Sequence, residues 1–497
     1  MKYTVAPCFI TIMLALIEGL VDPQSRSALA FETTRTRHFS TVTPAADSTY
    51  TTTSNMEPTR VILKRNPQSK AFRNGSQLVF TRAIQRFEGL TGKDPQRAEL
   101  VQILVDDSPK PVALGWGVYN PDSLYRVRIL CHRFLQPNLY QTVSSSPDTD
   151  TALRCILRHH FHKAWATRQA LQLPQAGFTD TFRLVNGEGD QLSGLAVDIV
   201  GSVAVVMSSA AWSEIYRSLI TECLLEQLPE GTSIVWKTTP NRLKQDGFDF
   251  AVPEETEGDV SVADKADQET EGVISIENGI RYRTFPFSNG QKTGVYCDQR
   301  ENRWNIAQLC RGKRVLDLCC FHGGFSLNAM INGGALSCTG VDSSEDAIFA
   351  CRNNAKLNEC TEDRLQFVRA DIGVFLRDTA DTALYDVVIL DPPKLAPTAA
   401  GLDKARRKYH AFNRDAIKVV APEGGLLLTC TCSAAMTQKD GGKYFLQMVQ
   451  GAAQATGREV TLLRVSGAAS CHTQSPISWP AGAYLTAALF YVHPTAS

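Results

Sequence analysis

The second half of the sequence alternates short apolar runs with longer segments of helical character, and this alternation constrains the fold most strongly. Five runs read as strands because they are rich in aliphatic and β-branched residues. They are Val315–Leu318, Ser337–Asp342, Leu365–Val368, Val387–Asp391 and Gly425–Thr429. Alternation of this kind predicts an α/β domain with a parallel sheet and helices on both faces. Ligands of such sheets bind at the carboxyl ends of the strands.

Acidic residues follow three successive strands of this predicted sheet. Asp317 ends the first, Asp342 ends the second and Asp371 follows the third. A carboxylate after the second strand can bind both ribose hydroxyls of a nucleoside, and Asp371 could accept a hydrogen bond from an adenine amine. Each acid could instead cap the following helix. The ordered trio favours a neutral or cationic nucleoside ligand over a polyphosphate.

The first strand of the domain runs into a glycine-containing turn. Gly323 and Gly324 allow the backbone to turn tightly and to approach a ligand closely. Their spacing is not that of the dinucleotide-binding fingerprint, and the lysine of a phosphate-binding loop is absent from the sequence. The turn therefore supports a nucleoside ligand that lacks a polyphosphate group.

Two further strand ends carry candidate catalytic residues. Asp391 precedes Pro392 and Pro393, which cannot continue a strand ladder and therefore fix a rigid loop at the sheet edge. Cys430 and Cys432 end the fifth strand, and a cysteine across from a carboxylate is a candidate nucleophile. Free cysteines are often buried, so one of the two is predicted to be a structural residue.

The sequence divides into further modules before this domain. Residues 59–135 predict a small β-rich module, because short runs such as Leu100–Val105 are punctuated by glycine and proline. Residues 150–285 predict a central α+β segment with an acidic loop at 253–271. Residues 286–497 form the predicted α/β domain.

One helix of the central segment, Thr151–Leu173, carries several basic and imidazole side chains. His159, His160 and His162 are not spaced at i, i+4, which argues against a metal site on this helix. We expect its polar side, which includes Arg168, to face solvent or RNA.

Charge and cysteine content limit the classes of partner and cofactor. The chain has 51 basic and 51 acidic residues, so binding to nucleic acid would require local basic patches. None of its 14 cysteines has the spacing of a zinc knuckle or a redox CxxC motif. We expect no metal ion and mostly reduced, buried thiols.

Residues 1–58 predict a disordered targeting presequence. An apolar run from Val5 to Leu20 is too short and interrupted for a membrane span, and reads as a signal-type segment. Ser27–Phe31 resembles a cleavage site followed by Phe, and a Ser/Thr-rich stretch with few acids follows. This two-part pattern resembles plastid presequences of algae. Arg37–Ser40 resembles a mitochondrial cleavage site, so the mitochondrion is the alternative to the plastid.

Several motifs together resemble one known family. They are Arg183–Asp190, Gly290–Gly294, Asp298–Arg303, the Asp317 and Asp391 segments, and Thr429–Ser433. From about Phe182 onward the chain resembles the bacterial large-subunit rRNA cytosine-5 methyltransferases, which are PUA-containing class I S-adenosylmethionine-dependent enzymes. Val112–Ile129 resembles their PUA domain. The resemblance implies a Rossmann-like methyltransferase domain, structured rRNA as partner and no membrane association, and it leaves a homodimer open.

The resemblance also implies the site residues. The expected S-adenosylmethionine-binding residues are Gln291, Lys292, Thr293, Gly294, Asp298, Arg300, Asp317, Phe321, Gly323, Gly324, Asp342, Asp371 and Asp391. Cys432 is the expected thiolate that adds to C6 of cytosine, Cys430 is the other candidate, and Asp391 would bind the N3–N4 edge of the base. This chain departs from the family in having His322 where threonine is usual.

Two alternatives to carbon methylation remain. One is methylation of a ring or exocyclic nitrogen, although Lys394 occupies the position where such enzymes usually carry an aromatic residue. The other is a non-catalytic RNA-binding or ribosome assembly factor. The intact acids and Cys432 argue against that second alternative.

Overall fold

The computed structural model describes residues 58–65, 67–89, 95–107, 109–248, 272–287, 294–379, 384–396 and 401–495. Three predicted features lie outside these residues: the presequence apart from Pro58, the acidic loop 253–271, and Gln291–Thr293. Within the described parts of the chain, no helix is long and apolar enough to cross a membrane.

A six-stranded sheet forms the N-terminal module. Its elements are β1 (Arg60–Leu63), α1 (Pro67–Arg73), β2 (Leu78–Phe80), β3 (Ile84–Glu88), β4 (Leu100–Val105), β5 (Val112–Tyr119) and β6 (Tyr125–His132). The strand order is β2-β6-β5-β4-β1-β3. Glycine is required at 117, because a Cβ there would lie 2.4 Å from the Arg128 carbonyl oxygen of β6. The sheet confirms the predicted β-rich module.

The central segment combines helices with a second sheet. Its elements are α2 (Pro137–Ser144), α3 (Thr149–Ala170), β7 (Thr181–Asn186), β8 (Leu195–Val200), β9 (Val203–Ser208), α4 (Ala211–Ile215), α5 (Arg217–Leu225), β10 (Ser233–Thr238), α6 (Pro240–Gln245), β11 (Val273–Glu277) and β12 (Ile280–Thr284). Four strands pair in the order β10-β9-β8-β7, and β11 pairs with β12 as a hairpin.

The prediction of a solvated or RNA-facing polar side on α3 is wrong for two residues. His160 is buried, and its Nε2 lies 2.6 Å from the carbonyl oxygen of Leu130 on β6. Arg168 is 0% exposed. Both side chains face neighbouring elements because each finds a polar partner there, as buried polar groups must.

A seven-stranded sheet forms the C-terminal domain. Its elements are α7 (Arg300–Ala307), β13 (Arg314–Leu318), α8 (Gly324–Leu327), β14 (Ser337–Asp342), α9 (Glu345–Leu357), β15 (Leu365–Arg369), α10 (Ile372–Thr379), β16 (Val387–Leu390), α11 (Leu402–Lys418), β17 (Gly425–Thr431), α12 (Ala434–Gln438), α13 (Lys443–Gln454), β18 (Val460–Ser466) and β19 (Thr486–Val492). The order is β15-β14-β13-β16-β17-β19-β18, with β13–β17 parallel and β19 antiparallel to both neighbours. Apolar clusters cover both faces, which confirms the predicted α/β class.

The connection between β18 and β19 reaches the other two parts of the fold. Ser478 Oγ accepts a hydrogen bond from the backbone N–H of Gln77 in the N-terminal module at 2.9 Å. The carbonyl of Cys471 accepts one from Arg168 Nη2 of α3 at 2.7 Å. Arg168 also donates to both carboxylate oxygens of Asp190, at 2.6 and 2.8 Å. Arg168 is therefore a buried junction between α3 and the C-terminal connection.

We predict that Arg168→Leu lowers the free energy of unfolding by about 3–5 kcal/mol, because it leaves the Asp190 carboxylate buried without a counter-charge. The control is Arg154→Leu, also on α3, which removes a solvent-accessible ion pair with Glu222 of α5 and should cost less than about 1 kcal/mol. Urea unfolding followed by circular dichroism measures both. Equal losses in the two variants would contradict the assignment of Arg168 as a junction.

Candidate cofactor and active site

A cleft of about 1030 Å³ opens at the carboxyl ends of the parallel strands, where the alternation predicts the site. The predicted site residues that line it are Gly294, Asp298, Phe321, Gly324, Asp342, Asp371, Asp391 and Cys432. Four others are not among its lining residues: Arg300, Asp317, Gly323 and Cys430. The cleft brings together residues from the ends of β14, β16 and β17 and from the turn after β13.

The turn after β13 has an unusual backbone. Cys319, Phe321 and Gly323 have φ values of 64°, 51° and 84°, in the left-handed region that non-glycine residues rarely adopt. Asp317 lies beneath this turn, and its Oδ2 accepts hydrogen bonds from the N–H of Ser326 at 3.0 Å and from its Oγ at 2.6 Å. Burial raises the pKa of Asp317 to about 6. Asp317 thus anchors the turn from below, and the prediction that it contacts the cofactor directly is not matched by its position.

Asp342, at the end of β14, is held by the same turn. Its Oδ2 accepts a hydrogen bond from the N–H of Phe321 at 3.1 Å, and its Oδ1 accepts one from the N–H of Ser344 at 2.9 Å. The carboxylate is half-buried and lines the cleft. Two fixed donors leave its remaining lone pairs available to a ligand, as ribose binding requires.

Asp371 combines the two roles that the sequence left open. Its Oδ1 accepts hydrogen bonds from the N–H groups of Gly373 at 2.9 Å and Val374 at 3.1 Å, so it caps the start of α10. The same side chain lines the cleft. Helix capping and a position on the cleft wall are therefore compatible at this residue.

Asp391 lies on the cleft wall in front of Pro392 and Pro393. Burial, together with the nearby carboxylate of Asp298, raises the pKa of Asp391 to about 7. Asp298 itself accepts a hydrogen bond from the Tyr484 hydroxyl at 2.6 Å. A substantial share of Asp391 is therefore protonated near neutral pH and can donate as well as accept a hydrogen bond.

The two cysteines of β17 have different surroundings. Cys430 is 0% exposed within an apolar cluster, and burial raises the pKa of its thiol well above the ordinary value. Cys432 lies just beyond the strand, is half-buried and lines the cleft. Ser433 fixes this strand end because its Oγ donates a hydrogen bond to the Ala396 carbonyl at 2.6 Å. Strand alternation would place both residues on one face, but β17 ends at Thr431, so Cys432 lies on the cleft while Cys430 is buried in the core.

Arg303 is a site residue that the sequence patterns did not single out. It lines the cleft, and its Nη1 donates to both carboxylate oxygens of Glu277 at 2.7 and 2.9 Å. Arg300, three residues earlier, is buried and pairs with Glu301 at 3.2 Å instead. Both arginines belong to one motif, but the partner of Arg303 comes from β11 and could not be read from that motif.

His322 is a second cleft residue that the sequence patterns did not assign to the site. It is buried against the cleft and stacks on Tyr282, with ring centroids 5.0 Å apart. Neither ring nitrogen has a hydrogen-bond partner among the described residues. Burial and the charge of Arg303 lower the pKa of His322 well below its usual value. The histidine is therefore a neutral group with unused polar atoms on the cleft wall.

Comparison with known proteins identifies the family. Residues 237–454 match S-adenosylmethionine-dependent methyltransferases, and residues 61–132 match PUA-like domains. The Aeromonas hydrophila ribosomal RNA large subunit methyltransferase I is 33% identical over 410 residues, which cover 82% of this chain and 93% of the relative. This chain belongs to that methyltransferase family. The Escherichia coli ribosomal RNA large subunit methyltransferase I is 29% identical over 431 residues. These residues cover 86% of this chain and 97% of the relative.

Solved structures share the fold. A methyltransferase crystallised with S-adenosylhomocysteine has a TM-score of 0.66 and 19% identity, covering 87% of this chain and 99% of its own. An S-adenosylmethionine-dependent methyltransferase from Streptococcus mutans has a TM-score of 0.64 and 18% identity. The match covers 87% of this chain and 100% of the Streptococcus mutans chain. The PUA-like module and the Rossmann-like domain predicted from the sequence are thereby confirmed.

The cofactor of this family is S-adenosylmethionine, and the lining of the cleft fits it. The acids Asp298, Asp342, Asp371 and Asp391 line the cleft, and this cofactor carries a sulfonium charge. Opposite charges at close range inside a cleft attract strongly, whereas a polyphosphate would be repelled. No group of three metal-ligating side chains occurs in the described parts of the chain.

We predict that Asp342→Ala weakens S-adenosylmethionine binding by about 2–4 kcal/mol, because it removes a pair of charge-assisted hydrogen bonds. Isothermal titration calorimetry measures the change. Asp346→Ala is the matched control, since Asp346 is an exposed acid on the same wall of the cleft. Unchanged affinity in Asp342→Ala, or an equal loss in Asp346→Ala, would contradict the role of Asp342.

Proposed function

We propose that the protein methylates C5 of a cytosine in large-subunit rRNA, with Cys432 as the covalent nucleophile. One observation carries the proposal: Cys432 and Asp391, from the ends of adjacent strands, line the same cleft as the cofactor-facing acids. The family relationship to rRNA methyltransferases and the PUA-like module support rRNA as the substrate.

Asp391 can recognise cytosine because of its raised pKa. A neutral carboxyl group can donate its O–H to N3 of the base and accept a hydrogen bond from the N4 amine. Cytosine presents that acceptor and that donor side by side. The protonated form of Asp391 thus allows a cytosine edge to bind in this cleft, whereas a carboxylate would face the N3 lone pair without a proton to share.

The proposed reaction begins at Cys432. Its thiolate adds to C6, while Asp391 protonates or hydrogen-bonds N3 and so stabilises the electron-rich ring that results. When bound, the cofactor would supply a methyl group from its sulfonium to the activated C5, with cleavage of the sulfur–methyl bond and S-adenosylhomocysteine as the leaving group. A base then removes the C5 proton, the C5–C6 double bond re-forms and the thiolate of Cys432 leaves. The target base must be unpaired or flipped out to reach the cleft.

Methylation of a base nitrogen is the second candidate, and aromatic side chains on the cleft favour it. Phe321, Tyr296 and Phe412 line the cleft and could stack on a base even though Lys394 replaces the usual aromatic residue. That reaction needs no nucleophile, so it leaves the position of Cys432 unexplained. Carbon methylation assigns a role to both Cys432 and Asp391.

We further propose that the enzyme acts in an organelle, a plastid in preference to a mitochondrion. The support is the two-part composition of residues 1–58. A fusion of these residues to a fluorescent protein should enter the organelle, and a cytosolic or secreted reporter would refute the proposal.

We predict that Cys432→Ala abolishes methyl transfer but retains S-adenosylmethionine affinity, because the thiol acts on the base. Cys430→Ala is the matched control, since that thiol is buried in the apolar cluster, and it should keep substantial activity. RNA containing 5-fluorocytosine should form a stable adduct with the wild type. Fluorine replaces the hydrogen at C5, so the proton removal that would release Cys432 cannot occur. Denaturing gel electrophoresis detects the adduct.

Two outcomes would revise the mechanism. An adduct that persists in Cys432→Ala and disappears in Cys430→Ala would exchange the roles of the two cysteines. Methyl transfer by Cys432→Ala at the wild-type rate, with an N-methyl product, would replace carbon methylation by the nitrogen alternative.

A further inference from the structure

Helix α11 concentrates positive charge beside the cleft. Its 17 residues include six Lys or Arg and two Asp, in a chain whose 51 basic and 51 acidic residues balance. Lys404, Arg407 and Lys408 are exposed and share one helix face, because they are spaced at i, i+3 and i+4. We refer to these three residues as the basic stripe.

The basic stripe is continuous with the cleft. Lys408 lines the cleft, as does Phe412 one turn further along α11, and the Nζ of Lys408 lies 5.3 Å from the centre of the Phe412 ring. Lys394, from the loop after β16, is exposed and lines the cleft as well. The stripe therefore leads along α11 to the opening that contains Asp391.

The cations of the basic stripe are exposed and have no acidic partner among the described residues. Within the part of the chain that the structure describes, none of the three forms an ion pair with an acid. Helix α3 differs, because Arg154 and Arg158 pair with Glu222 and Glu226 at 2.9 and 2.6 Å. Neutralised pairs of that kind contribute little to the attraction of a polyanion.

Cations of the N-terminal module are also neutralised in part. Arg65 and Arg73 both pair with Asp107, and Arg86 pairs with Glu88. These three arginines are therefore less able to bind phosphates than the composition of the module indicates. The basic stripe has no acidic partner among the described residues and reaches the cleft through Lys408.

The cleft is lined by several acids, and basic residues lie beside it on α11 and at Lys394. The acids that face the cofactor would repel phosphates at short range, but they admit an uncharged base. A strand that delivers a base to Asp391 must therefore keep its phosphates at the rim. We propose that the basic stripe binds the phosphate backbone of the RNA strand that carries the target nucleotide. This inference rests on the proposed RNA methylation.

The test uses Lys404→Gln/Arg407→Gln in the full chain, because neither residue lines the cleft and both are exposed. The matched control is Arg311→Gln/Lys356→Gln, which removes the same charge from exposed positions that do not line the cleft. The probe is a bacterial large-subunit rRNA fragment, transcribed in vitro, whose binding is followed by fluorescence anisotropy from low to high salt.

The stripe variant should bind the RNA roughly tenfold more weakly at low salt, and the slope of log affinity against log salt should decrease by about 1.4, or about 0.7 for each lost contact to single-stranded RNA. Its S-adenosylmethionine affinity by calorimetry should be unchanged. The control variant should match the wild type in RNA affinity and slope. Adding Lys408→Gln should weaken RNA binding further.

Wild-type affinity and slope in the stripe variant would overturn the proposal while leaving rRNA methylation intact. An equal loss in the control variant would also overturn it, because only overall charge would then matter. A wild-type protein that neither binds nor methylates rRNA would instead remove the proposed function, and the stripe proposal with it.

Discussion

The site depends on one buried contact, the hydrogen bonds from Ser326 to the carboxylate of Asp317 at the end of the central strand β13. They hold together the strand end and the start of α8, and between them lies the turn with left-handed residues. Left-handed conformations at Cys319 and Phe321 cost free energy and persist only when the surroundings enforce them. This turn also positions the N–H of Phe321, which donates a hydrogen bond to Asp342. Asp317 thus supports the turn that holds Asp342 on the cleft, without lining the cleft itself.

Local sequence patterns are sufficient for the architecture and for part of the site. The alternation of strands and helices predicts that strand ends converge at one edge, which is why the sequence alone groups Asp342, Asp371, Asp391 and Cys432. This inference needs only the chain direction and the order of the elements. The two-residue period of a strand would place Cys430 and Cys432 on one face, and their surroundings differ because β17 ends at Thr431.

The remaining features depend on contacts between distant parts of the chain. His160 and Arg168 look like surface residues within α3, but Leu130 and Asp190 give them buried partners. Arg303 reaches the cleft because Glu277 of β11 fixes it there. Asp317 ends a strand as the other acids do, so the sequence predicts it at the site. The turn after β13 covers its side chain and separates it from the cleft. No periodicity in the sequence encodes these pairings, since they are set by tertiary packing.

Acidic and basic residues are separated around the cleft, with acids on its lining and a group of basic residues on α11 beside it. Acids and Cys432 line the cleft, and in the proposed reaction they would face a cationic cofactor and a cytosine edge. Basic residues on α11 lie beside the cleft, and Lys408 among them reaches its lining. The balanced net charge of the chain therefore conceals a strong local separation of charge.

The most direct test of carbon methylation is the fate of the hydrogen at C5. An rRNA fragment containing cytidine tritiated at C5 is incubated with the protein and S-adenosylmethionine, and tritium released into water is compared with methyl groups transferred. The proposed mechanism predicts one tritium released for each methyl group, because the C5 proton must leave after methyl transfer. Methyl transfer that leaves all of the tritium in the RNA would contradict it.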